Sequence, residues 1–158
     1  MTSTPNMCAH RVWSAAIALV LGLGCGNGIP DPKPAPRLDD LTGRFEYRAS
    51  DESGRALLVG TVTLAVGTDS TLTGTWDIRW APGADTTAIV GPQVGTGTLA
   101  GRSGAEHGTI DLNPGWADNN VYLLIGQTNE GLLAGDWQHS TLLGTVAQGR
   151  FTLQRLTR

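Results

Sequence analysis

From residue 41 onward, apolar and polar side chains alternate one by one through most of the chain. Between Thr71 and Trp80, Leu72, Gly74, Trp76, Ile78 and Trp80 share one face, and Thr71, Thr73, Thr75, Asp77 and Arg79 share the other. A period of two marks a strand that buries one side. The pattern predicts eight strands, over 42–50, 55–66, 71–81, 94–101, 107–113, 120–127, 131–139 and 143–156. The breaks carry turn residues: Asp51-Glu52-Ser53-Gly54, Gly67-Thr68-Asp69-Ser70, Arg102-Ser103-Gly104 and Asn129-Glu130-Gly131. Gly and Asn accept the positive φ that tight hairpins need. No ten-residue stretch of this region has the helical period.

Short strands with short, sequential connections predict an all-β domain over 41–158, an eight-stranded antiparallel up-and-down barrel. A β-sandwich is the alternative. A repeat, Leu-x-Gly-x-aromatic, runs through the strands as Leu41-Gly43-Phe45, Leu72-Gly74-Trp76 and Leu133-Gly135-Trp137, with a partial copy at Gly149-Phe151-Leu153. Glycine on that face makes room for a bulky neighbour and lets a strand coil. On this repeat and the meander layout, the domain resembles the avidin and lipocalin group of small ligand-binding barrels. No signature residue of biotin or lipocalin ligand recognition is matched, so the resemblance implies the barrel and names no ligand.

In a meander, connections alternate between the two ends. Residues 51–54, 82–93, 114–119 and 140–142 then share one end, opposite both chain termini. Trp80, Trp116, Tyr122 and Trp137 fall toward this mouth, and Trp76 lies four residues deeper than Trp80, ~13 Å at strand rise. Barrel mouths are frequent small-molecule sites, and Trp combines apolar area with one donor. Trp76, Trp80, Trp116, Tyr122 and Trp137 are therefore the candidate ligand-binding residues. The competing reading is that these aromatics plug a side-chain-filled barrel.

The segment before residue 41 addresses the chain to a compartment. After Arg11, residues 12–24 form an uncharged apolar run of 13 residues, ending Leu21-Gly22-Leu23-Gly24-Cys25. Membrane-spanning helices need about 20 apolar residues, whereas a basic start, a short apolar core and small residues at its end make a secretory signal. The run resembles the lipobox of bacterial lipoproteins, with Leu21 one place further upstream than in that pattern. The resemblance implies cleavage after residue 24 and a diacylglyceryl lipid on Cys25, with palmitate among its acyl chains. Residues 25–40 carry Pro30, Pro32, Pro34 and Pro36, an extended polyproline-like tether. At ~3.1 Å per residue, 15 residues reach up to roughly 45 Å. The predicted protein sits in the cell envelope, held to a bacterial membrane and facing the periplasm or exterior.

Charge and composition narrow the chemistry. The chain has 11 basic and 14 acidic residues, a net charge of −3, and Lys33 is its only lysine. An acidic balance without a basic patch argues against nucleic-acid binding. The 22 glycines and 16% charged residues suit a coiled β-domain and oppose a helical bundle. Gly95-x-Gly97-x-x-Ala100 imitates a dinucleotide loop, but a turn and then a strand follow it where a helix is required. His107 and Asp111 lie ~13 Å apart along one strand, too far to share a metal. Asp136 and His139 point to opposite faces of a regular strand, so a catalytic set would need Asp136, His139 and Glu52 brought together. The expectation is a non-enzymatic module with no cofactor and no metal. Its partner is a small, partly apolar ligand or, in the alternative, another envelope protein.

Overall fold

The structure, a computed structural model, describes residues 41–104, 107–129 and 132–157. The signal segment 1–24, the lipidation site Cys25 and the tether 25–40 lie outside the described residues.

Eight strands follow in order: β1 (Gly43–Asp51), β2 (Ala56–Val66), β3 (Thr71–Trp80), β4 (Gly95–Ser103), β5 (Gly108–Asp111), β6 (Asn120–Asn129), β7 (Leu132–Thr141) and β8 (Gly144–Arg155). Each pairs antiparallel with its neighbour, and β8 returns to β1 from Phe45↔Arg155 to Asp51↔Gly149. That last ladder closes an up-and-down barrel and removes the sandwich alternative. Closure leaves no free sheet edge at the β1–β8 seam.

Alternation decides what faces inward. Phe45, Tyr47, Leu58, Leu72, Ile78, Leu123, Trp137, Phe151 and Leu153 are all buried, while the intervening Thr, Asp and Arg residues face out. Tyr47 and Phe151 lie near-parallel, with ring centroids 6.4 Å apart. Trp137 points into this core and donates Nε1–H to the Ser50 carbonyl at 2.9 Å. The interior is thus filled with close-packed side chains.

The glycines of the Leu-x-Gly-x-aromatic repeat have a sharper role than spacing. A β-carbon at Gly74 would stand 1.9 Å from the Thr63 carbonyl oxygen, and one at Gly135 1.9 Å from that of Leu124. Gly60, Gly101 and Gly149 meet neighbouring-strand carbonyls in the same way. Strong coiling presses backbone onto backbone at these points, and only glycine fits.

The two ends are finished differently. At the end where β1 begins and β8 finishes, Leu41 is buried and Leu156 N–H donates to the Arg44 carbonyl at 2.8 Å. Arg155 donates to the Thr42 carbonyl at 2.7 Å and lays its guanidinium 4.9 Å over the Phe45 ring. At the opposite end, the β3–β4 connection folds back over the mouth. It buries Val90 in the core and Gln93 completely. Gln93 Nε2 donates to the Val90 carbonyl at 2.6 Å, and Tyr47 Oη–H donates to Gln93 Oε1 at 2.8 Å. Burial pushes the Tyr47 phenol far above its ordinary pKa, so it stays protonated as that donor. Gly91, at φ +67°, lies flat against the His139 ring, where a β-carbon would come within 2.6 Å.

Candidate functional site

β5 is the shortest strand, and its shortness shapes the site. The alternation predicts a strand over 107–113, but the ladder ends at Asp111, whose Oδ1 accepts the Asn113 backbone N–H at 2.8 Å. This Asx turn offers the backbone an alternative to the sheet. β4 and β5 pair only from Ala100↔Asp111 to Ser103↔Gly108. The Gly95–Leu99 half of β4 therefore has β3 on one side and no strand on the other.

Trp76 bridges the resulting split in the wall. Its Nε1–H is shared between the Leu112 carbonyl at 2.7 Å and the Thr98 carbonyl at 3.2 Å. Gly97 makes room for it, since a β-carbon there would stand 2.6 Å from the indole ring. Leu112 is itself held on β6 by its N–H to the Val121 carbonyl, 2.9 Å.

Above the Trp76 bridge lies a cleft of about 330 Å³, a size within the range of small-molecule pockets. Pro92, Val94, Pro114 and Trp116 line it with Trp76. Thr96, Gly97 and Thr98 contribute the open β4 edge, and Leu112 and Asn113 complete the lining. None of these residues carries a charge. Trp116 is 54% exposed although its ring is apolar. Asn113 is nearly buried, and its Oδ1 has no hydrogen-bond partner.

The five candidate aromatics separate into different environments. Trp76 and Trp116 meet in the cleft. Trp80 is inward-facing and half-buried against the core at the mouth. Tyr122 lies on the outer face, between the buried Val121 and Leu123. Trp137 is in the core. Val94, Thr96 and Asn113 also belong to the cleft, and Pro92 joins them from the 82–93 connection. Asn113-Pro114 at a strand end was the one available signal, as a turn that stops β5 early.

Glu52 and Asp136 do approach one another, on the outer surface. With Gln138, Gln148 and Arg150 they line a polar depression of about 350 Å³, where Gln148 Nε2 donates to Glu52 Oε1 at 2.6 Å. His139 faces the other way, buried at the mouth with Nε2 hydrogen-bonded to Asn119 Oδ1. Burial lowers the His139 pKa, against a smaller raising effect of Asp118, so the ring is held neutral. Because Nε2 faces an amide oxygen, it carries the proton and Nδ1 is the bare nitrogen. Among the described residues, no group of three or more His, Cys, Asp or Glu is placed to hold a metal ion.

No protein-family profile and no curated protein matches the chain. Among solved structures, it is similar to EF1p2_mFAP2b bound to DFHBI, at 14% identity and a TM-score of 0.52, covering 78% of this chain and 100% of that one. A redesigned β-barrel, mFAP1, bound to DFHBI, aligns at 16% identity and a TM-score of 0.47, again over 78% of this chain and 100% of the other. At these identities the first likeness establishes a shared small-barrel fold.

Proposed function

We propose that this chain is a non-enzymatic binding lipoprotein of the bacterial envelope. A lipid on Cys25 holds it to the membrane, and the tether keeps the barrel clear of the headgroups. The barrel takes a small, partly apolar ligand in the side cleft between β4 and the β5–β6 loop. The covered mouth and packed interior leave the wall as the accessible place for it. The observation that carries this reading is an uncharged cleft lined by both the exposed Trp116 and the buried Trp76. That combination offers ring-stacking area beside a few polar groups, as ligand pockets do. That a similarly folded barrel was solved with DFHBI bound supports small-molecule binding by such folds.

The test is an NMR titration of the 15N-labelled full chain with indole as the probe. The side-chain N–H signals of Trp76 and Trp116 shift together with one dissociation constant, and Trp116→Ala weakens binding at least fivefold. Saturable shifts confined to Trp80 and Trp137 would contradict the reading.

A second reading, an assembly role toward another envelope protein, has its own observation. Leu142 and Leu143 form the tip of the β7–β8 hairpin at 82% and 98% exposure, and Ile89 and Trp116 are exposed at the same end. Leu142 N–H donates to Asp118 Oδ1 at 2.7 Å, which ties that hairpin to the Trp116 loop. In-cell cross-linking from position 143 that recovers one stable protein would favour this role.

A further inference from the structure

The first half of β4 keeps part of its backbone unpaired. In an antiparallel strand, alternate residues direct their N–H and C=O to the same side. Ala100 pairs with Asp111 of β5, so Thr98 and Thr96 turn their backbone groups to that side too. Among the described residues, no strand pairs with either of them there. The Thr98 carbonyl is taken by the Trp76 Nε1–H. The Thr96 N–H, the Thr96 carbonyl and the Thr98 N–H remain along this edge, and the exposed Thr96 and Thr98 side chains add two hydroxyls. Donors and acceptors thus stand close together on one side of an uncharged cleft.

The rest of the lining is largely apolar, with Pro92, Val94, Pro114 and the 54% exposed Trp116. A ligand that only stacks on the indole strips water from the edge without replacing its hydrogen bonds, which lowers affinity. A ligand that covers the edge needs groups that both donate and accept, and hydroxyls do so. No lining residue is charged, so a carboxylate, phosphate or ammonium group would find no counter-charge. An extended peptide also alternates donors and acceptors, as in strand addition to a sheet edge. Here the ladder would stop after one residue, because Trp76 occupies the next carbonyl, that of Thr98.

We infer that this cleft takes a neutral pyranose sugar, its C–H face lying on the Trp116 ring and its hydroxyls meeting the Thr96–Thr98 edge. The inference rests on reading the cleft as the ligand site and names the class of that ligand. A pyranoside is apolar across one face and polar around its rim, which matches an indole beside an open strand edge. The volume of about 330 Å³ is that of a small-ligand site.

The probes are methyl β-D-glucopyranoside and methyl β-D-galactopyranoside, each beside its uronate, which carries a carboxylate in place of the hydroxymethyl group. Indole reports on the cleft itself. Each is titrated against the 15N-labelled full chain. At least one glycoside shifts the Trp116 side-chain N–H and the Thr96 and Thr98 backbone N–H signals with one dissociation constant, at least fivefold tighter than its uronate. Thr96→Pro removes the edge N–H, which faces away from the β3 ladder, where proline is tolerated. It weakens the glycoside at least fivefold and leaves indole within twofold. The wild-type shifts alone decide the matter if that variant does not fold. Indole shifting Trp116 while neither glycoside does would overturn the sugar inference and leave the cleft reading standing, as would a uronate binding as tightly as its glycoside. Shifts of Thr96 and Thr98 by acetyl-Val-Thr-Val-amide and by neither glycoside would overturn it in favour of a peptide. No shift with any probe would overturn both readings.

Discussion

Tyr47 on β1 and Gln93 at the end of the β3–β4 connection meet through a 2.8 Å hydrogen bond inside the barrel, both wholly buried and 46 residues apart in sequence. This bond pins the β3–β4 connection into the mouth. Tyr47→Phe leaves Gln93 Oε1 unpaired and should cost about 1–3 kcal/mol; Gln93→Leu strands both the Tyr47 hydroxyl and the Val90 carbonyl and should cost at least as much. The double variant should cost less than their sum, because both partners of the Tyr47–Gln93 bond are then gone. Urea denaturation of the four chains gives the coupling energy.

The glycines of the repeat provide a second check. Gly74→Ala and Gly135→Ala drive a methyl into a facing carbonyl, and overpacking of this kind costs about 1–3 kcal/mol or more. Gly126→Ala is the control, since nothing lies within 4 Å of its added β-carbon. Thermal unfolding should show a large fall in Tm for the first two and a small one for the third.

Much of this fold is legible in the alternation of residues. The boundaries of β1, β2, β3 and β8 follow the pattern within a residue or so, because buried and more exposed residues alternate over most of each strand. The inward set of β3, Leu72 to Trp80, can be read directly, and Tyr122 can be placed outside once Val121 and Leu123 are recognised as inward. The site is not legible in the same way. The split in the wall depends on an Asx turn at Asp111 and Asn113 stopping β5 early, and on Trp76 reaching sideways to carbonyls 22 and 36 residues away. The covering of the mouth depends on Gln93, a polar residue in a Gly-Pro context whose burial becomes favourable only when Tyr47 faces it. Side-chain reach between distant segments leaves no periodic trace.

The tryptophans should divide by role. Trp137→Ala removes a fully buried indole bonded to the Ser50 carbonyl and should cost about 3–5 kcal/mol. Trp116→Ala removes a half-exposed ring and should leave stability within about 0.5 kcal/mol of wild type. Chemical denaturation distinguishes a core residue from a site residue in this way.

Stability should depend on pH through His139. Its folded-state pKa is depressed, so the unfolded chain takes up the proton first as pH falls. The contribution is complete above the ordinary imidazole value of about 6.5 and is lost as pH drops from there toward the folded-state value. His139→Gln should flatten the stability profile in that window. A second loss follows at lower pH. Asp51 is held at about 2 by hydrogen bonds from Ser53 Oγ and the Arg55 backbone N–H, so its contribution fades as pH falls from about 4 toward 2.

Anchoring has its own readout. Cys25→Ser should abolish metabolic labelling with palmitate and release the chain from membranes in a bacterial host that processes lipoproteins. Labelling that persists in Cys25→Ser would remove the anchor from the proposal while leaving the cleft untouched.

The location of a bound ring tests the central claim most directly. In intermolecular NOE spectra of the full chain with indole, cross-peaks should connect the ligand to the Val94 methyls and the Trp116 ring. Cross-peaks to the methyls of Ile110, Leu123 and Leu153 would place the ligand inside the barrel and contradict the cleft.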